Sequence, residues 1–152
     1  MTGAMQRSVK PIPDGAQTIT PYLVVEGIPK LLSFLTQAFG AQELFRMAHP
    51  DGGIMHAEVK IGNSTLMMGA AMGEWKPKPC SLYLYVEDVD AAYHRAVQAG
   101  GTSVKEPADQ FYGDRTGGVI DPSGNYWGIA THVEDVSREE MAKRFAAMCG
   151  KK

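Results

Sequence analysis

His56 and Glu58 stand two residues apart in Ile54-Met55-His56-Ala57-Glu58-Val59-Lys60-Ile61, a run with the alternation of a β-strand. Side chains two apart in a strand share a face. An imidazole beside a carboxylate can move a proton or anchor the polar end of a ligand. The same pair can also just satisfy its own hydrogen bonds on a half-buried sheet. As metal ligands the two leave a site incomplete. Tyr22, Tyr83 and Tyr85 suit a planar ligand, by stacking or through the hydroxyl, and suit plain sheet packing equally. Tyr112-Gly113-Asp114-Arg115 reads as a glycine-containing loop before a strand. There Tyr112 is a candidate ligand contact. The planar fork of Arg115 fits a ligand carboxylate or phosphate, or Asp114, Asp109 or a partner subunit. His49, His94 and His132 have no companions in register and read as surface or structural residues. Met67, Met68 and Met72 read as core filling, or as the adaptable wall of a permissive pocket.

The elements that must position these residues occur twice. Residues 22–40 fall on 83–101 without a gap, and Tyr22/Tyr83, Leu23/Leu84, Val25/Val86, Glu26/Glu87, Gln37/Gln98, Ala38/Ala99 and Gly40/Gly101 are identical. Chance gives about one identity over such a stretch. Gly62-Asn63 matches Gly124-Asn125 with one residue inserted. Two copies are too few for a solenoid and fit one domain whose halves close on each other.

The first copy predicts a strand over 18–25, and a helix with Pro29 in its first turn, closed by Gly40. Strands over 42–48, 54–61 and 64–69 follow. Residues 70–79, with Pro77 and Pro79, read as a linker. The second copy predicts a strand over 81–87, a helix capped by Asp88 or Asp90 that reaches Ala99, and strands near 102–105, 115–120 and 125–131. Ser137 to Glu140 has capping-box spacing, so a last helix is expected over 138–149. Its Met141, Phe145 and Met148 form one apolar stripe for docking on the domain. Period two places Leu23, Val25, Met55, Ala57, Val59 and Ile61 toward the core, and Trp127 is expected to fill it. Tyr22, Val24, His56, Glu58, Lys60, Tyr83 and Tyr85 fall on the opposite fronts. The fold class is therefore α+β: two tandem βαβββ units forming curved mixed sheets around a cavity, with a C-terminal helix. An arm over 1–17 precedes a single domain over 18–152, made of units 18–70 and 81–132 and helix 138–149.

Composition narrows the functions. With 44% hydrophobic and 21% charged residues and a formal charge of -2, the 152-residue chain reads as an ordinary globular protein. No basic stripe suggests nucleic acid, and no apolar run suggests a membrane span or a signal peptide. The two cysteines, Cys80 and Cys149, show no metal-finger spacing and read as reduced thiols in a cytoplasmic protein.

The ordered motifs Pro11-Ile12-Pro13-Asp14-Gly15, Thr20-Pro21-Tyr22-Leu23, Ala38-Phe39-Gly40-Ala41 and Met55-His56-Ala57-Glu58, followed by 109–115 and Asp121-Pro122-Ser123-Gly124-Asn125-Tyr126-Trp127, carry a resemblance. They resemble the vicinal oxygen chelate superfamily of glyoxalase I, bleomycin-resistance proteins and extradiol dioxygenases, and within it the PhnB-like branch. Metal-dependent members hold one divalent ion with His, Gln or Glu from the first and last strands of each unit. The resemblance lays those positions on Thr20, Leu66 or Met67, Ser81 and Gly128, a set without carboxylate or imidazole donors. It therefore implies a protein with neither metal nor cofactor, which binds a small molecule and forms a homodimer of paired or exchanged halves. The other reading is a metal-independent lyase or isomerase using His56 and Glu58 for proton transfer. Tyr22, His56, Glu58, Tyr83 and Tyr85 are expected to share one lining.

Overall fold

The computed structural model describes residues 9–150; residues 1–8 of the expected arm lie outside it. The first unit contains β1 (Tyr22–Val25), α1 (Ile28–Phe39), β2 (Gln42–Ala48), β3 (Ile54–Ile61) and β4 (Ser64–Ala70). The second contains β5 (Ser81–Tyr85), α2 (Val89–Gln98), β6 (Thr102–Asp109), β7 (Asp114–Ile120) and β8 (Tyr126–His132), and α3 (Arg138–Cys149) follows. The sheets run β1-β4-β3-β2 and β5-β8-β7-β6. In each, the first and last strands of the unit pair in parallel and the rest antiparallel. This is the expected α+β class.

Gly40 (φ 66°) closes α1: its N–H reaches the Thr36 carbonyl while the Ala41 N–H reaches Leu35. Only a residue tolerant of positive φ ends a helix this way. α2 is capped by Asp88, whose side chain accepts from the Ala91 N–H at 3.1 Å. α1 packs on β3 and β4, α2 on β6, β7 and β8, and the two helices on each other. Phe39 meets Trp127 at 5.1 Å between ring centroids, and Arg95 donates to the Ala38 carbonyl. One core thus combines Leu23, Val25, Val59 and Met68 with Val119, Trp127 and Ile129. Each large aliphatic side chain fully buried there contributes about 1.5–3 kcal/mol, so this joint core holds the units together. α3 differs. It buries no residue, and it is held by Arg144, which donates to Glu134 and to the Phe111 carbonyl. Phe145 stacks near Phe111, yet Phe145 and Met148 remain exposed. The expected docking of its whole stripe does not occur. Among the described residues no helix is long and apolar enough to cross a membrane.

Several strand boundaries and facings depart from expectation, for local reasons. β1 begins at Tyr22 rather than at 18, because Pro21 has no N–H to donate and Thr20 turns back onto the Gln17 carbonyl. β6 runs on to Asp109, with Pro107 in a register irregularity of an edge strand. Met55 does not face the core. Ala48 pairs with Ile54 and Met47 with His56, so Met55 is the extra residue of a bulge and turns outward. Val24, expected on the open front, is buried, and its backbone bridges to Lys78. The supposed linker is therefore a strap, folded back on β1 through a Met72–Trp75 turn.

Candidate functional site

On the front of the first sheet the register sets Tyr22, Met67, Glu58 and Phe45 in one row, and Val24, Gly69, His56 and Met47 in the next. Gly69 lies beside His56, and the Tyr22 ring lies across it, where any Cβ would overlap the hydroxyl. That absence of a side chain lets Tyr22 reach over β4 to His56, with its hydroxyl 3.3 Å from Nδ1. His56 Nε2 lies 3.0 Å from Glu58 Oε2. The tautomer that satisfies all three has Nε2–H donating to Glu58 and the Tyr22 hydroxyl donating to Nδ1. The side chains of His56 and Glu58 are 18% and 28% exposed, enough for a ligand to reach them.

These three groups form part of the wall of an open cavity of about 580 Å³. Phe45, Met47, Met55, Met72 and Trp75 complete most of its wall. Aromatic and thioether walls around a few polar groups are the makeup of a small-molecule site. Sequence reasoning missed Phe45, Met47, Met55 and Trp75 as site residues, and Met72 takes the second of its two expected roles, the adaptable wall of a pocket. Phe45 and Met47 were within reach of period-two reading, being alternate residues of one predicted strand. The only signal for Trp75 is a large aromatic in a proline-rich segment. Glu58 and Phe45 also wall a second cavity of about 490 Å³, whose other side is 13–16 of the arm. That arm is anchored: the Gln17 amide exchanges two 3.0 Å hydrogen bonds with the Thr65 backbone, and the Thr65 hydroxyl donates to the Gly15 carbonyl.

The second sheet gathers a different cluster. Asp114, nearly buried, accepts from the hydroxyls of Tyr83 at 2.6 Å and Tyr85 at 2.8 Å on one oxygen, and lies 2.8 Å from His132 Nδ1 on the other. The far nitrogen of His132 lies 2.8 Å from Asp135. Burial pushes the Asp114 carboxyl upward, but the Tyr83, His132 and Tyr85 hydrogen bonds outweigh it and hold it below the usual range. Burial first, then Asp114 and then Tyr112, push the Tyr83 phenol far up. The hydrogen bonds to Asp114 and then Asp135 raise His132. His132, read as lacking a companion, therefore has two.

The structure brings Tyr22, His56 and Glu58 together, and Tyr83, Tyr85 and Tyr112 together, but not the two groups with each other. The 580 Å³ cavity is lined by first-unit and strap residues alone. The expected single lining of five residues is corrected on this point. The units meet through α1 and α2, so one chain does not stack its two fronts. Arg115 is also away from both clusters: it forks onto Asp90 of α2 at 2.9 and 3.0 Å and reaches Asp109 at 3.2 Å. That is a clamp between β7 and its helix.

The family's divalent ion does not fit these residues. Thr20 lies before β1, Met67 offers only a thioether, Ser81 a hydroxyl and Gly128 no side chain, and the Tyr83 ring lies against Gly128. Hard and borderline ions need carboxylate or imidazole there. Among the described residues no three His, Cys, Asp or Glu side chains are grouped to hold a metal.

A model of the Glyoxalase/Bleomycin resistance protein/Dioxygenase superfamily matches residues 16–129. The doubled βαβββ unit and this match agree: the chain belongs to that superfamily. An uncharacterized protein of Mycobacterium bovis is 36% identical over 134 residues, covering 81% of this chain and 88% of that one. An uncharacterized protein of Mycobacterium tuberculosis is also 36% identical, over 81% of this chain and 79% of its own length. Among solved structures, TioX from Micromonospora sp. ML1 superposes with a TM-score of 0.67 at 22% identity, over 78% of this chain and all (100%) of TioX. A putative 3-demethylubiquinone-9 3-methyltransferase, PhnB protein, from Bacillus cereus gives a TM-score of 0.62 at 20% identity, over 76% of this chain and 99% of that one. At these identities the structures share the fold.

Proposed function

We propose that this protein is a metal-free small-molecule-binding member of the superfamily, of the PhnB-like branch, acting in the cytoplasm as a homodimer. One domain over 18–152 would carry the site. The observation behind the reading is the Tyr22–His56–Glu58 cluster on the wall of an open aromatic and thioether cavity. Glu58 uses one oxygen on His56, which leaves the other for a ligand. Tyr22, Trp75, Tyr83 and Tyr85 stand about half exposed on the fronts, and a second copy that faced one front with the other would cover them. In such a pair the Tyr83 and Tyr85 front would complete the site. Light scattering tests the assembly; a single-chain mass at working concentration rules it out. A screen of planar aromatic compounds by thermal shift tests binding, because a ligand of the folded state alone raises stability by mass action.

The His56–Glu58 distance favours a second reading, a lyase or isomerase in which the pair carries a proton without a metal. Turnover separates the two. A binder returns its ligand unchanged, and His56→Ala alters only affinity. An enzyme loses turnover in His56→Ala while still holding substrate.

A further inference from the structure

The wall chemistry of the first-sheet cavity narrows its ligand, on the reading that this cavity binds a small molecule. Glu58 is the one carboxylate among its lining residues, which include no lysine or arginine. Glu58 Oε2 is engaged by His56 Nε2, so the carboxylate presents its other oxygen to the cavity. Around it stand the rings of Tyr22, Phe45 and Trp75, whose faces carry partial negative charge, and three polarizable methionines. One of these rings already holds a cation: Lys78 Nζ sits 3.3 Å from the centroid of the Trp75 ring. Lys60, next along the face of β3, lines the neighbouring cavity beside the arm, which Glu58 and Phe45 share, and is not on the wall of the first-sheet cavity. We infer that the ligand is a planar aromatic cation, a protonated heteroaromatic amine, whose ring lies among Phe45, Trp75 and the methionines while its N–H donates to the free oxygen of Glu58. A neutral ring of the same shape would strip water from Glu58 without replacing it, and an anionic one would add repulsion. Only the cation gains from both the carboxylate and the ring faces.

Three acridines of one ring system and different charge test this: 9-aminoacridine as the cation, acridine as the neutral ring and acridine-9-carboxylate as the anion. Titration calorimetry of the wild-type protein at neutral pH, where those charge states hold, is the first measurement. The expected order is cation, neutral, anion, with the cation at least about tenfold tighter than acridine. Glu58→Gln should weaken 9-aminoacridine and relieve acridine of the desolvated charge, bringing the two to within about threefold of each other, and a cooperative thermal transition reports that the variant folds. Equal binding of all three, or preference for the anion, overturns the cation inference and leaves a binding cavity. No binding of any acridine, with no shift in thermal midpoint, overturns the inference together with the reading of the cavity as a site. Should Glu58→Gln not fold, the wild-type charge series alone decides.

Discussion

The two sheets are built on one plan and furnished in opposite ways. Tyr22 pairs with Met67 as Tyr83 pairs with Gly128, so the rungs correspond: His56 stands where the second sheet has Thr116, and Glu58 where it has Gly118. The first sheet places its charge in mid-sheet, part exposed and half satisfied, inside an apolar cavity. The second places its charge one rung further on, at Asp114. There it is buried and saturated by two phenols and an imidazole. A buried polar network with every partner present rigidifies a fold, whereas an acceptor with a free lone pair on an open wall is available to something else. On the proposed reading the first sheet binds, and the Asp114 network of the second holds.

The largest expected effect tests the holding half. Asp114→Ala removes the common acceptor of Tyr83, Tyr85 and His132, and should cost about 3 kcal/mol in urea unfolding. Glu58→Gln should stay within about 0.5 kcal/mol of wild type, since its partner is part exposed. Comparable losses from both would erase the distinction between the sheets.

His132 extends the holding network to Asp135, at the approach to α3. Its folded pKa is raised, so its contribution is fully present below the ordinary histidine range and is lost as pH rises through the raised value. Asp114 runs the other way. Its folded pKa is lowered, so its contribution is present above the ordinary carboxylate range and is lost as pH falls through the lowered value. The gap in thermal midpoint between wild type and His132→Ala should therefore be wide at mildly acidic pH and close in alkaline buffer. A gap independent of pH would detach His132 from the carboxylates. α3 buries nothing of its own, so hydrogen-exchange protection over 133–150, taken relative to the intrinsic base-catalysed rate, should fall in the same alkaline range.

Much of this contrast is legible in the sequence, and the gaps have physical causes. The repeat aligned Tyr22 with Tyr83, and period two put His56 beside Glu58, because both signals are local. His132 looked solitary because its partner lies across an antiparallel rung. β7 begins one residue before the expected strand, at Asp114, and β8 ends one residue after it, at His132, and those two added residues pair. Met55 was misplaced by a bulge that leaves no mark in alternation. Trp75 and Met72 reach the cavity only through the bridge from Val24 to Lys78, which depends on tertiary packing. Boundaries and straps carried the missing information, and neither is a periodic signal.

A smaller effect concerns how the binding half is assembled. Gly69→Ala would put a methyl group into the Tyr22 hydroxyl. Tyr22 is half exposed and free to swing outward, so stability should fall by no more than about 1 kcal/mol. The ring would leave His56, and affinity for any ligand that stabilises the wild type should fall several-fold. A Gly69→Ala protein with unchanged affinity would show that Tyr22 does not organise the site.

The smallest expected effect lies on the rung the two sheets share. Among the described residues the buried Thr116 hydroxyl has no hydrogen-bond partner, where the first sheet carries His56. Valine has the same shape without the oxygen, and it is the better strand former. Removing a buried donor that bonds to nothing recovers its desolvation cost, so Thr116→Val should raise stability by about 0.5–1 kcal/mol. The matching change in the first sheet, His56→Val, should leave stability nearly unmoved but remove the partner of Tyr22 and Glu58, and with it ligand binding. Equilibrium unfolding of both variants, read beside a binding titration, compares the two halves at one rung. A loss of stability in Thr116→Val would mean that its hydroxyl is satisfied in solution by water or a second copy, and would give the second sheet an open polar position of its own.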